Sequence, residues 1–242
     1  MNNFVRHDPC PKCGSKDNLG VYLDGSAWCF GCGYHRQAEG MSVKSMERLL
    51  SPTITEGYGA LPSDFSSDIP REPYAWLKKY SLTNEEISEN KIGWSARNEM
   101  LIVPYMDTEN KCFLWQGRYF PKKTPKVFTR GNVEGSILLP FNSSITSSST
   151  RVVVVEDPIS SIKLSRVENS TPVLGSNLSM HKAVLLSRYF SHLTLWLDPD
   201  MISKMLQLCN KYKPLFNKVD FIISEYDPKD HSTEEIKEYL KS

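Results

Sequence analysis

Short, unbroken hydrophobic runs alternate with amphipathic stretches through the second half of the chain. The segment 151–156 is almost entirely valine, and 193–197 is a second apolar run that leads into acidic residues. Runs of this length are typical of strands covered on both faces, as in a parallel sheet with helical crossovers. The pattern predicts four strands that alternate with four helices. The predicted strands are 151–156, 171–174, 193–197 and 218–223, and the predicted helices are 159–167, 179–190, 201–213 and 233–241.

The third of these helices has the clearest amphipathic pattern. Ile202, Met205, Leu206 and Cys209 recur at helical spacing, which predicts that they form one buried face.

The first half of the chain shows a different pattern. Residues 73–92 predict two short helices, the second beginning with a capping box of Thr83 and Glu86. The runs at 100–105 and 112–120 predict two strands of a small β-rich unit. Residues 41–72 are rich in Ser, Pro and Gly and predict a linker, whereas 142–150 is nearly all Ser and Thr and predicts a flexible connector.

Composition narrows the class of protein. The chain has 242 residues, 40% of them hydrophobic, and a formal net charge of +1. No apolar run is long enough to span a membrane and no signal-like segment stands at the N-terminus, so we expect a soluble, cytoplasmic protein with no membrane partner. A net charge this small means that any nucleic-acid binding must come from a local basic patch.

Such a patch is present between residues 111 and 130, which contain six basic residues and no acid. Aromatic residues are interleaved with the basic ones, which favours a track for phosphates over an ordinary solvated face. The candidate phosphate-binding side chains are Arg118, Lys122, Lys123, Lys126 and Arg130.

Four of the six cysteines form two Cys-x-x-Cys pairs near the N-terminus. Cys10 and Cys13 are separated from Cys29 and Cys32 by fifteen residues. This spacing predicts a zinc ribbon that binds one structural zinc ion. Trp28 lies between the two pairs and, with neighbouring aromatic and basic residues, favours a DNA-binding role over a purely structural one.

Acidic residues follow two of the predicted strands. Glu156 comes at the end of the first strand, and Asp198 and Asp200 follow the third. Ligands of parallel sheets bind at the carboxyl ends of the strands, where these three carboxylates would repel one another unless a cation holds them. The sequence therefore predicts a magnesium and phosphate site, because magnesium binds carboxylate oxygens together with substrate phosphates.

These residues resemble a known family. A strand that ends in Glu, a later strand that ends in Asp-x-Asp and the βα frame around them resemble the Toprim domain. Flanking sequence at 82–87, 101–104, 117–118 and 125–127 resembles the RNA-polymerase domain of DnaG-type primases. Together with the four-cysteine ribbon, the layout is similar to the primase half of podovirus primase-helicases.

The resemblance implies an α/β fold: a small β zinc ribbon, a linker, and a primase RNA-polymerase domain with a parallel-sheet Toprim core. The implied divisions are 1–40 for the ribbon, 41–72 for the linker, 73–145 for a basic subdomain and 151–242 for the catalytic Toprim subdomain. The implied activity is synthesis of RNA primers from ribonucleoside triphosphates on a single-stranded DNA template. A Walker A sequence is absent, so we expect a separate replicative helicase as a partner, together with a DNA polymerase.

The resemblance also implies roles for the acids. Asp198 and Asp200 would hold magnesium, with two ions expected and manganese as a substitute. Glu156 would either bind a metal ion or act directly as a base. Asp230 is a weaker candidate for the same cluster.

The chain departs from the family's pattern in two motifs. The first Toprim motif, Glu-Gly-x-x-Asp, stands here as 156–160 with Asp157 and Ser160 at the altered positions, and Ser26 replaces a base-reading histidine of the ribbon. The altered motif supports one alternative, a non-catalytic module that binds single-stranded DNA or recruits replication proteins. The other alternative is another Toprim enzyme such as a nuclease, which would use the same acids.

Overall fold

The computed structural model describes residues 4–22, 26–36, 59–107, 110–131, 133, 137–138, 140, 149–175 and 177–241. These residues form three separate sheets, and six α-helices lie along the described chain. No helix in these ranges is long and apolar enough to cross a membrane.

The N-terminal sheet is antiparallel and has four strands in sequential order. They are β1 (Phe4–Asp8), β2 (Leu19–Tyr22), β3 (Ala27–Cys29) and β4 (His35–Arg36). Its small core contains only residues of this sheet and of the turns between its strands, including Cys10 and Cys29. A core of this size stabilises little by itself, so the predicted zinc ribbon needs another source of stability.

The second sheet is antiparallel, with five strands and two helices. The strands are β5 (Phe65–Ser66), β6 (Gly93–Ser95), β7 (Met100–Met106), β8 (Cys112–Tyr119) and β9 (Val127–Gly131), and the helices are α1 (Arg71–Lys79) and α2 (Asn84–Glu89). The capping box at the start of α2 is present, since Thr83 and Glu86 each accept a hydrogen bond from the other's backbone N–H.

The predicted linker 41–72 ends earlier than the sequence indicated. Residues 41–58 lie outside the described residues, but β5 pairs with β6 and α1 begins at Arg71. Asp64 also accepts hydrogen bonds from the Ser95 hydroxyl at 2.9 Å and the Arg97 backbone N–H at 2.7 Å. Residues 59–72 therefore belong to the packed domain, because their contacts are long-range and invisible in the local Ser, Pro and Gly composition.

The third sheet is parallel, as predicted, with the strand order β11-β10-β12-β13. Its strands are β10 (Arg151–Val155), β11 (Ser170–Pro172), β12 (His192–Leu195) and β13 (Lys218–Phe221). The helices around it are α3 (Pro158–Leu164), α4 (Met180–Ser187), α5 (Ile202–Tyr212) and α6 (Thr233–Lys241).

Both faces of the central strand β10 are buried. Val152 and Val154 pack on the face covered by α4 and α5, whereas Val153 and Val155 pack on the opposite face with α6. This burial explains why the strand reads as an unbroken valine run.

The buried face of α5 differs from the prediction. Met205 and Cys209 are buried as expected, but Ile202 and Leu206 are exposed, and Leu208 and Tyr212 complete the buried face instead. The sequence pattern predicted the wrong side of the helix as buried, because its apolar residues lie on more than one face.

Candidate active site and metal centre

The four cysteines of the ribbon converge on one point. Their sulfur atoms all lie within 4.8 Å of one another. The Cys10–Cys32 and Cys13–Cys29 sulfur pairs are each 3.7 Å apart. Zinc–sulfur bonds of about 2.3 Å at tetrahedral angles place sulfurs about 3.8 Å apart, so this group can hold a zinc ion.

The two knuckles have the tight turns that such a site requires. Gly14 and Gly33 have φ of +68° and +69°, a conformation that other residues adopt only with strain. Their backbone N–H groups donate to the carbonyls of Cys10 and Cys29 at 2.9 and 3.0 Å. The glycines of both Cys-x-x-Cys-Gly motifs therefore allow the chain to fold back and bring each pair of sulfurs together.

The pKa values of the cysteines reflect how close the four sulfur atoms lie to one another. Hydrogen bonds from Ser15 lower the pKa of Cys13 to about 6. At Cys32 the backbone N–H of Tyr34 acts in the same direction, but burial and the neighbouring sulfurs raise the pKa to about 12. Four thiolates cannot coexist at these distances without a cation, which is the condition that a bound metal ion satisfies.

An aromatic face lies beside the cysteines. Trp28 and Phe30 are 46% and 62% exposed, which is unusual for such large apolar side chains. The rings of Trp28 and His35 are stacked with centroids 6.0 Å apart. The ribbon thus presents flat rings to solvent, as surfaces that stack on nucleic-acid bases do.

The predicted catalytic acids meet at the carboxyl ends of two neighbouring strands. Glu156 directly follows β10, and Asp198 follows β12, which pairs with β10. The backbone N–H of Asp198 donates to Glu156 Oε1 at 3.4 Å. Asp200 lies in the 3₁₀ turn Pro199–Met201 and is exposed. The parallel topology therefore brings together residues that are separated by more than forty positions in the sequence.

The charges of these acids affect one another. Burial raises the pKa of Glu156, and the charges of Asp200, Asp227 and Asp157 raise it further, although the Asp198 N–H opposes them. Burial and the charge of Glu156 also raise the pKa of Asp198, to about 7. Such mutual repulsion in a half-buried site is relieved by a bound cation.

The donor set of the acids fits magnesium better than zinc. All the donors are carboxylate oxygens, and among the described residues only the four cysteines bring three or more ligand atoms to within 4.8 Å of one another. Magnesium suits this looser arrangement because it retains several waters and binds one or two carboxylates together with phosphates.

Lys229 and Asp227 also belong to the cluster, although neither of them was assigned a role there from the sequence. Lys229 Nζ lies 3.2 Å from Asp157 Oδ2 and also contacts Asp227. Asp157 is the N-cap of α3, where its carboxylate accepts from the backbone N–H of Ile159 at 2.9 Å and the hydroxyl of Ser160 at 2.7 Å. The position of Asp227 after the fourth strand of the sheet was a sequence signal for its role.

Asp230, the weaker metal candidate, has a different environment. It is exposed at the end of the 3₁₀ turn Pro228–Asp230, and its charge acts on the ammonium of Lys163. The charge of Asp227, by contrast, is among those that act on Glu156 and Asp198. The assignment of Asp230 to a metal ion stays a prediction.

A cavity of about 90 Å³ lies between the antiparallel sheet and the start of α3, beside Asp157 and Lys229. Its polar lining includes Arg118 of β8 together with Asp157 and Lys229. The guanidinium of Arg118 lies 4.6 Å from the ring of Trp76, which also lines the cavity. Arg118, one of the predicted phosphate-binding residues, therefore lines the same cavity as Asp157 and Lys229. Trp76 also lines it, which the sequence did not predict.

The other basic candidates lie on the outer part of the second sheet. Lys122, Lys126 and Arg130 are exposed, and Lys123 Nζ pairs with Glu99 at 2.6 Å. Lys126 immediately precedes β9, and Arg130 lies within it. These cations form an open surface, whereas Arg118 faces the cavity.

Comparison with known proteins relates this arrangement to primases. No family model matches the chain. Over 212 residues, or 81% of the chain, it is 27% identical to the DNA helicase/primase of Enterobacteria phage T3. The chain spans 35% of that protein's length. That relative combines helicase and primase in one chain, so it gives no support to the expected separate helicase.

Solved structures show the same architecture. The primase fragment of the bacteriophage T7 primase-helicase protein matches with a TM-score of 0.52 and 16% identity, over 98% of each chain. The zinc-binding and RNA polymerase domains of the Aquifex aeolicus primase match with a TM-score of 0.57 and 14% identity, over 97% of this chain and 78% of theirs. A DnaG primase catalytic domain bound to single-stranded DNA also matches, with a TM-score of 0.57 and 15% identity over 71% of each chain. The chain has the fold of the zinc-binding and RNA polymerase domains of primases.

Proposed function

We propose that this protein is a DNA primase, a nucleotidyltransferase that synthesises short RNA primers from ribonucleoside triphosphates on a single-stranded DNA template during phage DNA replication. The proposal depends on one observation: Glu156 and Asp198 lie side by side at the carboxyl ends of adjacent strands of the parallel sheet. The primase fold and the similarity to the phage T3 protein support it.

In this proposal the reaction joins two ribonucleotides. A 3′-hydroxyl attacks the α-phosphate of a nucleoside triphosphate, a new phosphodiester bond forms and pyrophosphate leaves. Asp198 and Asp200 would hold magnesium, and Glu156 would either bind a metal ion or act as a base toward the attacking hydroxyl. Two bound magnesium ions, or manganese in their place, would neutralise phosphate charge and lower the pKa of the hydroxyl.

The remaining parts of the chain have matching roles in the proposal. The 1–40 ribbon holds one zinc ion through its four cysteines and selects the template, to which Trp28 offers a stacking surface. The 73–145 subdomain binds nucleotide or template phosphate through Arg118 and the exposed lysines, and 151–242 carries the chemistry. A DNA polymerase is the expected partner, because a primer ends in a 3′-hydroxyl that a polymerase extends.

The experiment is primer synthesis on a randomised single-stranded DNA template. The protein is supplied with ATP, CTP, GTP and UTP, one of them labelled, and with magnesium or manganese. We expect alkali-sensitive oligoribonucleotides from the wild-type protein. Asp198→Asn, Asp200→Asn and Glu156→Gln should each reduce synthesis by a factor of about 100 or more, because a metal-held charge contributes several kcal/mol to the transition state.

Asp68→Asn is the matched control, since Asp68 is an exposed carboxylate outside the cluster. All four variants should bind single-stranded DNA as the wild-type protein does. If the wild-type protein makes no product on any template, or if the three cluster variants match it, the enzyme proposal fails. DNA binding without synthesis would then favour the non-catalytic module, and degradation of the template would favour a nuclease.

A further inference from the structure

Lys229 is a largely buried cation in the middle of the acidic cluster. Its side chain is 15% exposed, and its Nζ contacts the carboxylates of Asp157, at 3.2 Å, and Asp227. Its charge is also among those that act on Asp198. The ammonium thus neutralises part of the negative charge that the ends of three strands bring together.

The position of Lys229 is determined by α3. Lys163, a buried residue of α3, donates from Nζ to the backbone carbonyls of Lys229 at 2.7 Å and His231 at 2.5 Å. Asp157 is held by the N-terminus of the same helix. One helix therefore fixes both the backbone that carries the ammonium and one of the carboxylates that it contacts.

Lys229 is the cation that contacts both Asp157 and Asp227. Among the described ion pairs, Asp157 and Asp227 each pair with Lys229 alone. A divalent metal ion entering the cluster would meet the ammonium at the same carboxylates, and two cations at such short range repel each other. Lys229 and a metal ion would therefore compete for the same carboxylates.

We propose that Lys229 is a built-in counter-cation of the acidic cluster, which holds Asp157 and Asp227 in place and weakens the binding of divalent metal ions there. The inference rests on the proposed function only in that it takes the cluster to be a metal site. Lys229 is a positioning residue in this proposal, because it acts through the carboxylates. It keeps the acids assembled before metal and nucleotide arrive.

The first test measures Mn²⁺ binding to the full-length, zinc-loaded protein without nucleotide, by electron paramagnetic resonance of free Mn²⁺. Lys229→Met removes the charge and keeps the length of the side chain, so we expect the dissociation constant of Mn²⁺ to fall about tenfold, the effect of one charge at about 6 Å in a water-like dielectric. Lys229→Arg retains the charge and should bind Mn²⁺ as the wild-type protein does. Lys237→Met, on an exposed lysine of α6, is the control for net charge.

Unchanged or weaker Mn²⁺ binding by a folded Lys229→Met protein would overturn the inference. If that variant does not fold, the wild-type protein decides through nuclear magnetic resonance of ¹³C-labelled lysine side chains, with the Lys229 signal assigned from Lys229→Arg. Addition of Mg²⁺ should shift this signal, and an unmoved signal overturns the inference. If Mn²⁺ binding changes as expected but the protein makes no primer, only the proposed function is contradicted. If the protein makes primers but Lys229→Met binds Mn²⁺ as the wild-type protein does, only this inference is contradicted.

Discussion

Glu156 and Asp198 are acids whose surroundings oppose their own ionisation. Burial and neighbouring carboxylates raise the pKa of both groups, and Lys229 only partly counters this effect at Asp198. A site in which carboxylates repel one another favours a cation, because a bound metal ion would relieve that repulsion. At the scale of single residues, the chemistry therefore depends on how many charges the fold forces together.

The exposed cations of the second sheet lie in a different environment from the cavity residue Arg118. Lys126 is exposed and stands in a segment without acids, so we expect it to contact template phosphate. Lys126→Ala should weaken binding of single-stranded DNA and lower the slope of log K against log salt by about 0.7, the value for one phosphate contact. Fluorescence anisotropy at several salt concentrations measures this slope.

Lys237→Ala provides the control, since Lys237 is an exposed lysine on α6. Its salt slope should equal that of the wild-type protein, and so should the thermal stability of both variants. An unaltered slope for Lys126→Ala would show that this lysine belongs to the solvated surface.

At the scale of elements, α3 connects the parts of the RNA polymerase fold. Its N-terminus holds Asp157 next to the acids, and Ile159 and Ile162 pack into the core formed with α1, α2 and β7. Just beyond its C-terminal end, Arg166 bonds Glu86 of α2 through two hydrogen bonds of 2.6 and 2.7 Å. One short helix thus joins the parallel sheet to the antiparallel one at the cavity between them.

The ion pair between Arg166 and Glu86 is largely buried, with side chains 22% and 11% exposed. Arg166→Met leaves the Glu86 carboxylate without its partner, which should lower the free energy of unfolding by about 3 kcal/mol. Chemical denaturation followed by circular dichroism measures the loss. Arg188→Met, at an exposed arginine after α4, should change stability by no more than about 0.5 kcal/mol, and equal losses in both variants would rule out a special role for the pair.

A second network lies at the opposite end of the parallel sheet, around Asp220 of β13. Burial raises the pKa of this carboxyl, but hydrogen bonds from Thr194, Lys218 and His192 outweigh it and lower the pKa below its ordinary value. Because the folded pKa is below the unfolded value of about 3.9, the contribution to stability is present above that pH and is lost as the pH falls through the folded pKa.

Asp220→Asn should therefore be less stable than the wild-type protein near neutral pH, and the difference should vanish as the pH falls toward about 2. Denaturation curves at a series of pH values give the comparison, with Asp68→Asn as an exposed control. A difference that is the same at every pH would mean that packing, and not ionisation, determines the role of Asp220.

At the scale of the whole molecule, the ribbon and the catalytic part depend on different sources of stability. The core of the ribbon contains only residues of the ribbon, whereas the parallel sheet has large apolar clusters on both faces. A bound zinc ion would supply to the ribbon the stability that its small core lacks. Loss of the metal should thus unfold one part of the chain and spare the rest.

Cys29→Ser tests this division. Elemental analysis should find about one zinc per wild-type chain and none in the variant. Hydrogen exchange should show loss of amide protection for β1 to β4 only, with β10 and β12 still protected. Cys112→Ser, outside the ribbon, should retain the zinc, and a zinc-free wild-type protein or a fully protected Cys29→Ser ribbon would contradict the proposal.

The sequence by itself determined the features that arise from local patterning. The valine run of β10 predicted a strand buried on both faces, the spacing of the four cysteines predicted their convergence, and Thr83 with Glu86 predicted a capping box. These signals are readable because each reports a local geometry: the two faces of a strand, a knuckle, or the first turn of a helix.

Only the tertiary structure decided which residues share a site. Lys229 and Asp157 are separated by 72 positions. Their contact depends on the order of strands in the parallel sheet and on the hydrogen bond that Lys163 donates to the backbone carbonyl of Lys229. The packed residues after Gly59 and the true buried face of α5 were likewise hidden, because long-range burial determines them and local composition does not. The sequence thus identified Glu156, Asp198 and Asp200, whereas only the fold identified Lys229, the cation between Asp157 and Asp227.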